Sequence, residues 1–146
     1  MAESLRKRAL ELLARREHTR RELARKLAAH AEDPAAIDSV LDELEARGWL
    51  SESRVAEQLI HARRARFGAR KIERDLRDRG VSEEAVAAAL PALREGELDA
   101  ARAVWRRKFS GRQPRNPAER ARQARFLQGR GFYLDVIMKI FKGGEE

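Results

Sequence analysis

The chain has 146 residues, no cysteine, 38% charged side chains and a net charge of +8; it is one domain long and carries neither a disulfide framework nor a thiolate metal site. Ala, Leu, Glu and Arg dominate, a composition for helices with wet outer faces, and no apolar run approaches the ~18 residues a membrane span needs. The opening MAESLRKRAL lacks a signal-peptide apolar core and no stretch alternates like a strand, so the expectation is an all-α, cytoplasmic protein.

In chain order, a first helix is predicted near Ser4–Glu17, with Leu5, Ala9, Leu12 and Leu13 on one side. Thr19 and Glu22 form a capping box for a second helix that runs to about His30. Asp33 caps a third, with Pro34 at its first position and Ile37, Val40, Leu41 and Leu44 as its buried stripe, closed by Gly48. After the turn Trp49-Leu50-Ser51, a helix opened by Ser51 or Ser53 runs through Val55, Leu59 and Ile60 to the cluster Arg63, Arg64 and Arg66.

Residues 67–90 read as two short helices and a sharp break. Ile72 and Leu76 make one apolar face, Gly80 falls where a left-handed C-terminal cap is expected, and Ser82 opens the next helix. Val86 and Leu90 continue the face, and Pro91 is expected to end the helix. Arg70, Arg74 and Arg77 form a basic stripe pointing away from Ile72 and Leu76, with Lys71 beside it. A further helix near Glu97–Phe109 turns Leu98, Ala101, Val104 and Trp105 inward and ends in Arg106, Arg107 and Lys108. Ser110 to Pro117 is the one linker-like stretch; Asn116, Pro117 and Glu119 restart a helix that Gly131 ends. Phe132, Val136, Ile137, Ile140 and Phe141 supply the last apolar face, and residues 143–146 read as a frayed tail.

The plan repeats. A shift of 51 positions places Leu76 on Leu127, Gly80 on Gly131, Val81 on Phe132, Val86 on Ile137 and Leu90 on Phe141. A shift back of 49 places Ile72 on Leu23, Leu76 on Leu27, Val86 on Ile37, Leu90 on Leu41 and Leu59 on Leu10. Conserved spacing of apolar positions at such a period marks a helical repeat array. We expect three tandem three-helix repeats in a curved, elongated array: 1–48, 49–94, and 95–146 with an internal linker at 110–117. The basic positions recur in part, Arg74 falling on both Arg25 and Arg125, Lys71 on Arg122 and Arg79 on Arg130. Net charge rises along the chain, 0 over residues 1–50, +2 over 51–95 and +6 over 96–146; from Arg102 to Arg130 only Glu119 is acidic. This asymmetry favours a polyanionic or acidic partner.

Four segments in order, RRELARKL at 20–27, LDELEARGWLSESRVAEQ at 41–58, FGARKIERDLRDRGVSEEAVAAAL at 67–90 and RQARFLQGRGFYLDVIMKIF at 122–141, resemble the RecX family of bacterial recombinase regulators. Gly68, Ile72 and Leu76 match its Gly-x-x-x-Ile-x-x-x-Leu pattern behind an arginine-rich segment, and Leu127, Arg130, Gly131 and Phe132 its C-terminal pattern. The sequence departs at Leu50-Ser51-Glu52, where acidic residues more often follow the apolar position. The resemblance implies a monomeric, cofactor-free partner of RecA, with a role in recombination, DNA repair and the SOS response. Such a protein lodges in the groove of the RecA filament on single-stranded DNA and suppresses ATP hydrolysis, strand exchange and filament growth, with weak duplex binding as a side activity. Contacts are expected from Arg25, Arg63, Arg64, Arg70, Lys71, Arg74, Arg77, Arg106, Arg107, Lys108, Arg122, Arg125 and Arg130.

Other chemistries find little purchase. His18, His30 and His61 share no ligand spacing and read as surface or capping histidines, and no P-loop, nucleophile elbow or dinucleotide turn occurs, so no metal, cofactor or catalysis is expected. Trp49, Trp105, Phe109 and Phe132 read as core. The alternative is a helix-turn-helix protein binding duplex DNA directly through TRRELARKL and IDSVLDELEARGWL; the absence of a wing after Trp49 argues against it.

Overall fold

A computed structural model describes residues 2–143. Among the described residues there are nine α-helices and no strand: α1 (Ala2–Arg15), α2 (Arg20–Leu27), α3 (Pro34–Ala46), α4 (Glu52–Arg63), α5 (Ala69–Arg79), α6 (Glu83–Glu95), α7 (Glu97–Phe109), α8 (Pro117–Gly129) and α9 (Leu134–Lys142). A 3-10 turn, Ala28–His30, extends α2. The tail predicted at 143–146 lies, beyond Gly143, outside the described residues. The chain divides into two compact units, Met1–Glu57 with Leu76–Val86 and Gln58–Asp75 with Ala87–Glu146, so that α4, α5 and α6 each supply residues to both.

In the first unit, Leu5 and Ala9 of α1, Leu23 and Leu27 of α2, and Ile37, Val40, Leu41 and Leu44 of α3 bury together with Leu50. The capping box holds: the Glu22 N–H donates to Thr19 Oγ1 at 3.1 Å and the Thr19 N–H to Glu22 Oε1 at 2.8 Å. Asp33 accepts the Ala35 N–H and Pro34 starts α3. Gly48, at φ +74°, turns the chain after α3, and Ser51 accepts the Arg54 N–H to open α4. The departure at Leu50-Ser51-Glu52 therefore leaves the cap intact. Helix α1 begins and ends two residues before its predicted bounds.

Two expectations fail here. Trp49 is not core: it stands 42% exposed, with the guanidiniums of Arg47 and Arg6 5.1 and 5.9 Å from its ring centroid. Gly48 turns it out of the α3 stripe while its neighbour Leu50 takes the buried place. His18 is not a surface residue but is buried; its Nδ1–H donates to the Arg16 carbonyl at 3.0 Å, leaving Nε2 to accept from Lys26 Nζ at 3.0 Å. Burial, then the charges of Arg16 and Lys26, push its pKa down despite the Arg16 carbonyl.

In the second unit, Ala101, Val104 and Trp105 of α7, Leu127 of α8, and Phe132, Val136, Ile137, Ile140 and Phe141 form one buried cluster. The stretch 110–117 is tied down rather than linker-like. Gln113 donates to the Ile140 carbonyl at 2.8 Å, and Gln123, itself buried, links Trp105 Nε1 to the Arg112 carbonyl. Asn116 caps α8 through the Glu119 N–H at 2.8 Å. Pro91 does not end α6, which runs on to Glu95. Its ring is exposed, so the missing N–H and the steric demand fall on the wet side, and burial of Leu93 carries the helix on. Leu90 is correspondingly only half-buried.

Candidate nucleic-acid interface

The positions of the basic side chains follow from two glycines in the second unit. Gly131, at φ +92°, breaks the chain after α8, and Gly68 precedes α5. Here two backbones touch: the Gly68 N–H donates to the Arg130 carbonyl at 2.9 Å and the Arg70 N–H to the Gly131 carbonyl at 3.0 Å. A Cβ at Gly68 would overlap the Phe132 amide and the Gly131 carbonyl, and one at Gly131 would overlap Lys71, so the approach needs both glycines. The buried Glu97 locks it, accepting the Ala69 N–H at 3.0 Å and the Tyr133 N–H at 3.3 Å, with Arg94 Nη1 2.9 Å from its second oxygen. Burial pushes the Glu97 carboxyl above the usual range, against the two N–H groups and Arg94. Tyr133 donates its hydroxyl to the buried Glu73, a bond that holds the phenol above its ordinary pKa.

This clasp gathers cations about two rings. Lys71, Arg130 and Arg63 lie 5.4, 5.4 and 5.9 Å from the Phe67 centroid; Lys108 and Arg130 lie 5.3 and 5.6 Å from that of Phe126. Beside them opens a cleft of about 430 Å3 lined by Arg66, Val104, Arg107, Lys108, Phe126 and Arg130, with no acid in its wall.

Of the expected contact residues, Arg63, Lys71, Arg107, Lys108 and Arg130 are thus brought together. Arg64, Arg70, Arg74, Arg106, Arg122 and Arg125 belong to the same unit and are exposed, with no ring or ion-pair contact drawing them into the cluster. Arg25 and Arg77 belong to the other unit. Three have carboxylate partners: Arg63 and Lys71 share Asp75 at 3.0 and 3.6 Å, and Arg77 pairs with Glu83 at 2.8 Å. Among the described residues, Arg66, Arg106, Arg107, Lys108, Arg122, Arg125 and Arg130 have no carboxylate within ion-pair distance. Arg66, Phe67 and Phe126 were not among the expected contacts; the tripeptide Ala-Arg-Phe, at 65–67 and again at 124–126, is the signal that marks them.

Comparison with known proteins places the chain in a family. Models of the first, second and third three-helix domains of RecX match residues 6–44, 51–90 and 95–141. The chain belongs to the RecX family. The regulatory protein RecX of Leptothrix cholodnii is 50% identical over 139 residues, covering 95% of this chain and 88% of its own. That of Chromobacterium violaceum is 44% identical over 143 residues, covering 98% and 92%. The crystal structure of RecX from Lactobacillus salivarius superposes with a TM-score of 0.86 at 17% identity, over 99% of this chain and 96% of that one, which shows a shared fold. Among the described residues of this RecX-family chain, no helix is long and apolar enough to cross a membrane and no group of His, Cys, Asp or Glu is placed to hold a metal ion. Where a winged helix would carry its wing, the chain forms helix α4.

Proposed function

We propose that the chain regulates a RecA-type recombinase by binding the recombinase filament on single-stranded DNA, suppressing ATP hydrolysis, strand exchange and filament growth. It acts in the cytoplasm as a monomer without a cofactor, by binding and not by catalysis, in recombination and repair. Relatives that share 40–50% of its residues carry the name of a regulatory protein. The observation that carries the reading is the set of cations in the second unit that lack carboxylate partners. A cation already paired with a carboxylate releases few counterions on meeting a polyanion, whereas an unpaired one contributes fully. The three repeats proposed at 1–48, 49–94 and 95–146 would then bear unequal shares of the contact.

The test is ATP hydrolysis by RecA on single-stranded DNA while this protein is added at substoichiometric ratios. A fall in rate at low ratios is expected. An unchanged rate from the folded protein, with retention of duplex DNA on a gel, would overturn this reading and favour direct duplex binding.

A further inference from the structure

Arg130 is held differently from an ordinary surface arginine. Its guanidinium sits between two rings, 5.4 Å from the Phe67 centroid and 5.6 Å from that of Phe126, while its carbonyl accepts the Gly68 N–H of the clasp. The side chain is thereby placed without any carboxylate at ion-pair distance among the described residues. Beside it, Arg66, Arg107 and Lys108 are exposed, and the Arg107 guanidinium is steadied by the Ala65 carbonyl at 3.5 Å. The remaining wall is apolar, formed by Val104 and Phe126, and the volume of about 430 Å3 falls within the range of small-ligand sites.

From this we infer that the cleft is a single-nucleotide subsite, taking one phosphate on Arg66, Arg107, Lys108 and Arg130 and the flat face of one unstacked base against Val104 and Phe126. The inference rests on the proposed function and adds to it the unit of strand that is recognised. A duplex keeps its base faces stacked and offers the cleft phosphate alone, leaving the apolar wall unused. An acidic peptide offers carboxylates on flexible stems, with no plane to lie on that wall. A single strand supplies both parts at once, and guanidinium planes accept a stacked base as readily as they fork onto a phosphate.

Fluorescence anisotropy of the full chain, at several salt concentrations, tests this with four probes: a labelled oligothymidylate, the matching duplex, an abasic strand of equal length, and polyglutamate of equal charge. The intact strand is expected to bind about tenfold tighter than the abasic strand, as stacking of a base on a protein platform implies. The double variant Arg66→Ala/Arg107→Ala, at exposed positions and with an unchanged melt, is expected to weaken single-strand binding about tenfold. Its salt slope should fall by no more than about 0.7, the one phosphate contact the subsite offers on a single strand. Phe126→Leu, which keeps an apolar side chain but removes the flat ring, is expected to narrow the gap between intact and abasic strands.

Equal binding of intact and abasic strands, equal binding of polyglutamate, or wild-type affinity in the double variant would each overturn the subsite. The recombinase assay separates this from the broader reading. ATPase inhibition by a chain that does not distinguish the strands leaves the regulator standing and removes the subsite. Strand discrimination without any effect on ATP hydrolysis does the reverse.

Discussion

Each unit is held together internally by a different chemistry. In the first, the stretch around α2 meets the end of α5 through side chains: Thr19 donates its hydroxyl to the Arg79 carbonyl at 2.8 Å, Arg79 pairs with Glu22 at 3.0 Å, and Arg54 pairs with Glu17 at 2.8 Å. In the second, the start of α5 meets the α8–α9 turn through backbone, with Gly68 and Gly131 in contact and the buried Glu97 capping two amides. The difference extends to surface charge. Arg20 of the first unit is held by Asp42, Glu45 and Asp38 at 2.7, 3.0 and 3.7 Å, whereas the cleft of the second unit holds four cations and no acid. In the first unit the junction arginines Arg54 and Arg79 are held in ion pairs; in the second, Arg63, Lys71 and Arg94 are paired as well, but the four cations of the cleft are not.

That contrast can be broken by substitution. Gly131→Ala and Gly68→Ala force a Cβ into backbone and are expected to destabilise by about 3 kcal/mol or more, read by thermal or denaturant melting. Leu76→Ala and Leu127→Ala, both at fully buried side chains, are expected to cost about 2–5 kcal/mol, one in each unit. Gly80→Ala is expected to cost about 2 kcal/mol or more, since its φ is +99° and the new Cβ would lie 2.8 Å from Arg21 Cβ, an atom that cannot move without its backbone.

The pH dependence sharpens the same comparison, because the two junction carboxyls shift in opposite directions. Burial would raise Glu22, but the Thr19 N–H, Arg79 and Arg16 outweigh it and hold the carboxyl down at about 2. Its folded pKa lies below its unfolded value near 4.5, so its stabilisation is present above pH 4.5 and lost as pH falls toward 2. Glu97 is raised by burial; relative to an unshifted carboxyl, its contribution is complete below the ordinary carboxylate pKa and declines as pH rises through the elevated one. Stability profiles of Glu22→Gln and Glu97→Gln against the parent are expected to differ from it in opposite senses, by at most about 2–3 kcal/mol for Glu22. Parallel profiles would mean that the two junctions are held alike.

Much of the fold was legible because it depends on local chemistry. The Thr19–Glu22 box, Asp33-Pro34, Asn116-Pro117 and the glycine stops are written in short windows, and the period-3.6 apolar stripes name the buried faces of α2, α3, α5 and α9. The failures have one origin, that exposure is settled by tertiary neighbours. Pro91 reads as a stop until its ring is seen to face solvent, Trp49 reads as core until Gly48 turns it outward, and His18 gives no hint of the bond from Lys26 to its Nε2. At the site, the basic residues were legible as composition. Which of them are neutralised was not, because Asp75 reaches Arg63 from twelve positions away and nothing in the spacing forbids it from reaching Arg66 instead. Nor does sequence spacing reveal that Gly68 and Gly131, 63 positions apart, share one contact that brings Arg130 to Phe67.

The most direct measurement compares unpaired with paired cations in one assay. RecA ATP hydrolysis on single-stranded DNA is titrated with the parent chain, with Arg106→Glu/Arg107→Glu/Lys108→Glu, and with Arg20→Gln, all shown folded by circular dichroism. The account predicts that inhibition by the triple variant falls at least tenfold in potency while Arg20→Gln inhibits like the parent. Equal inhibition by all three would contradict it, since the unpaired cations of the second unit would then have no part in the contact.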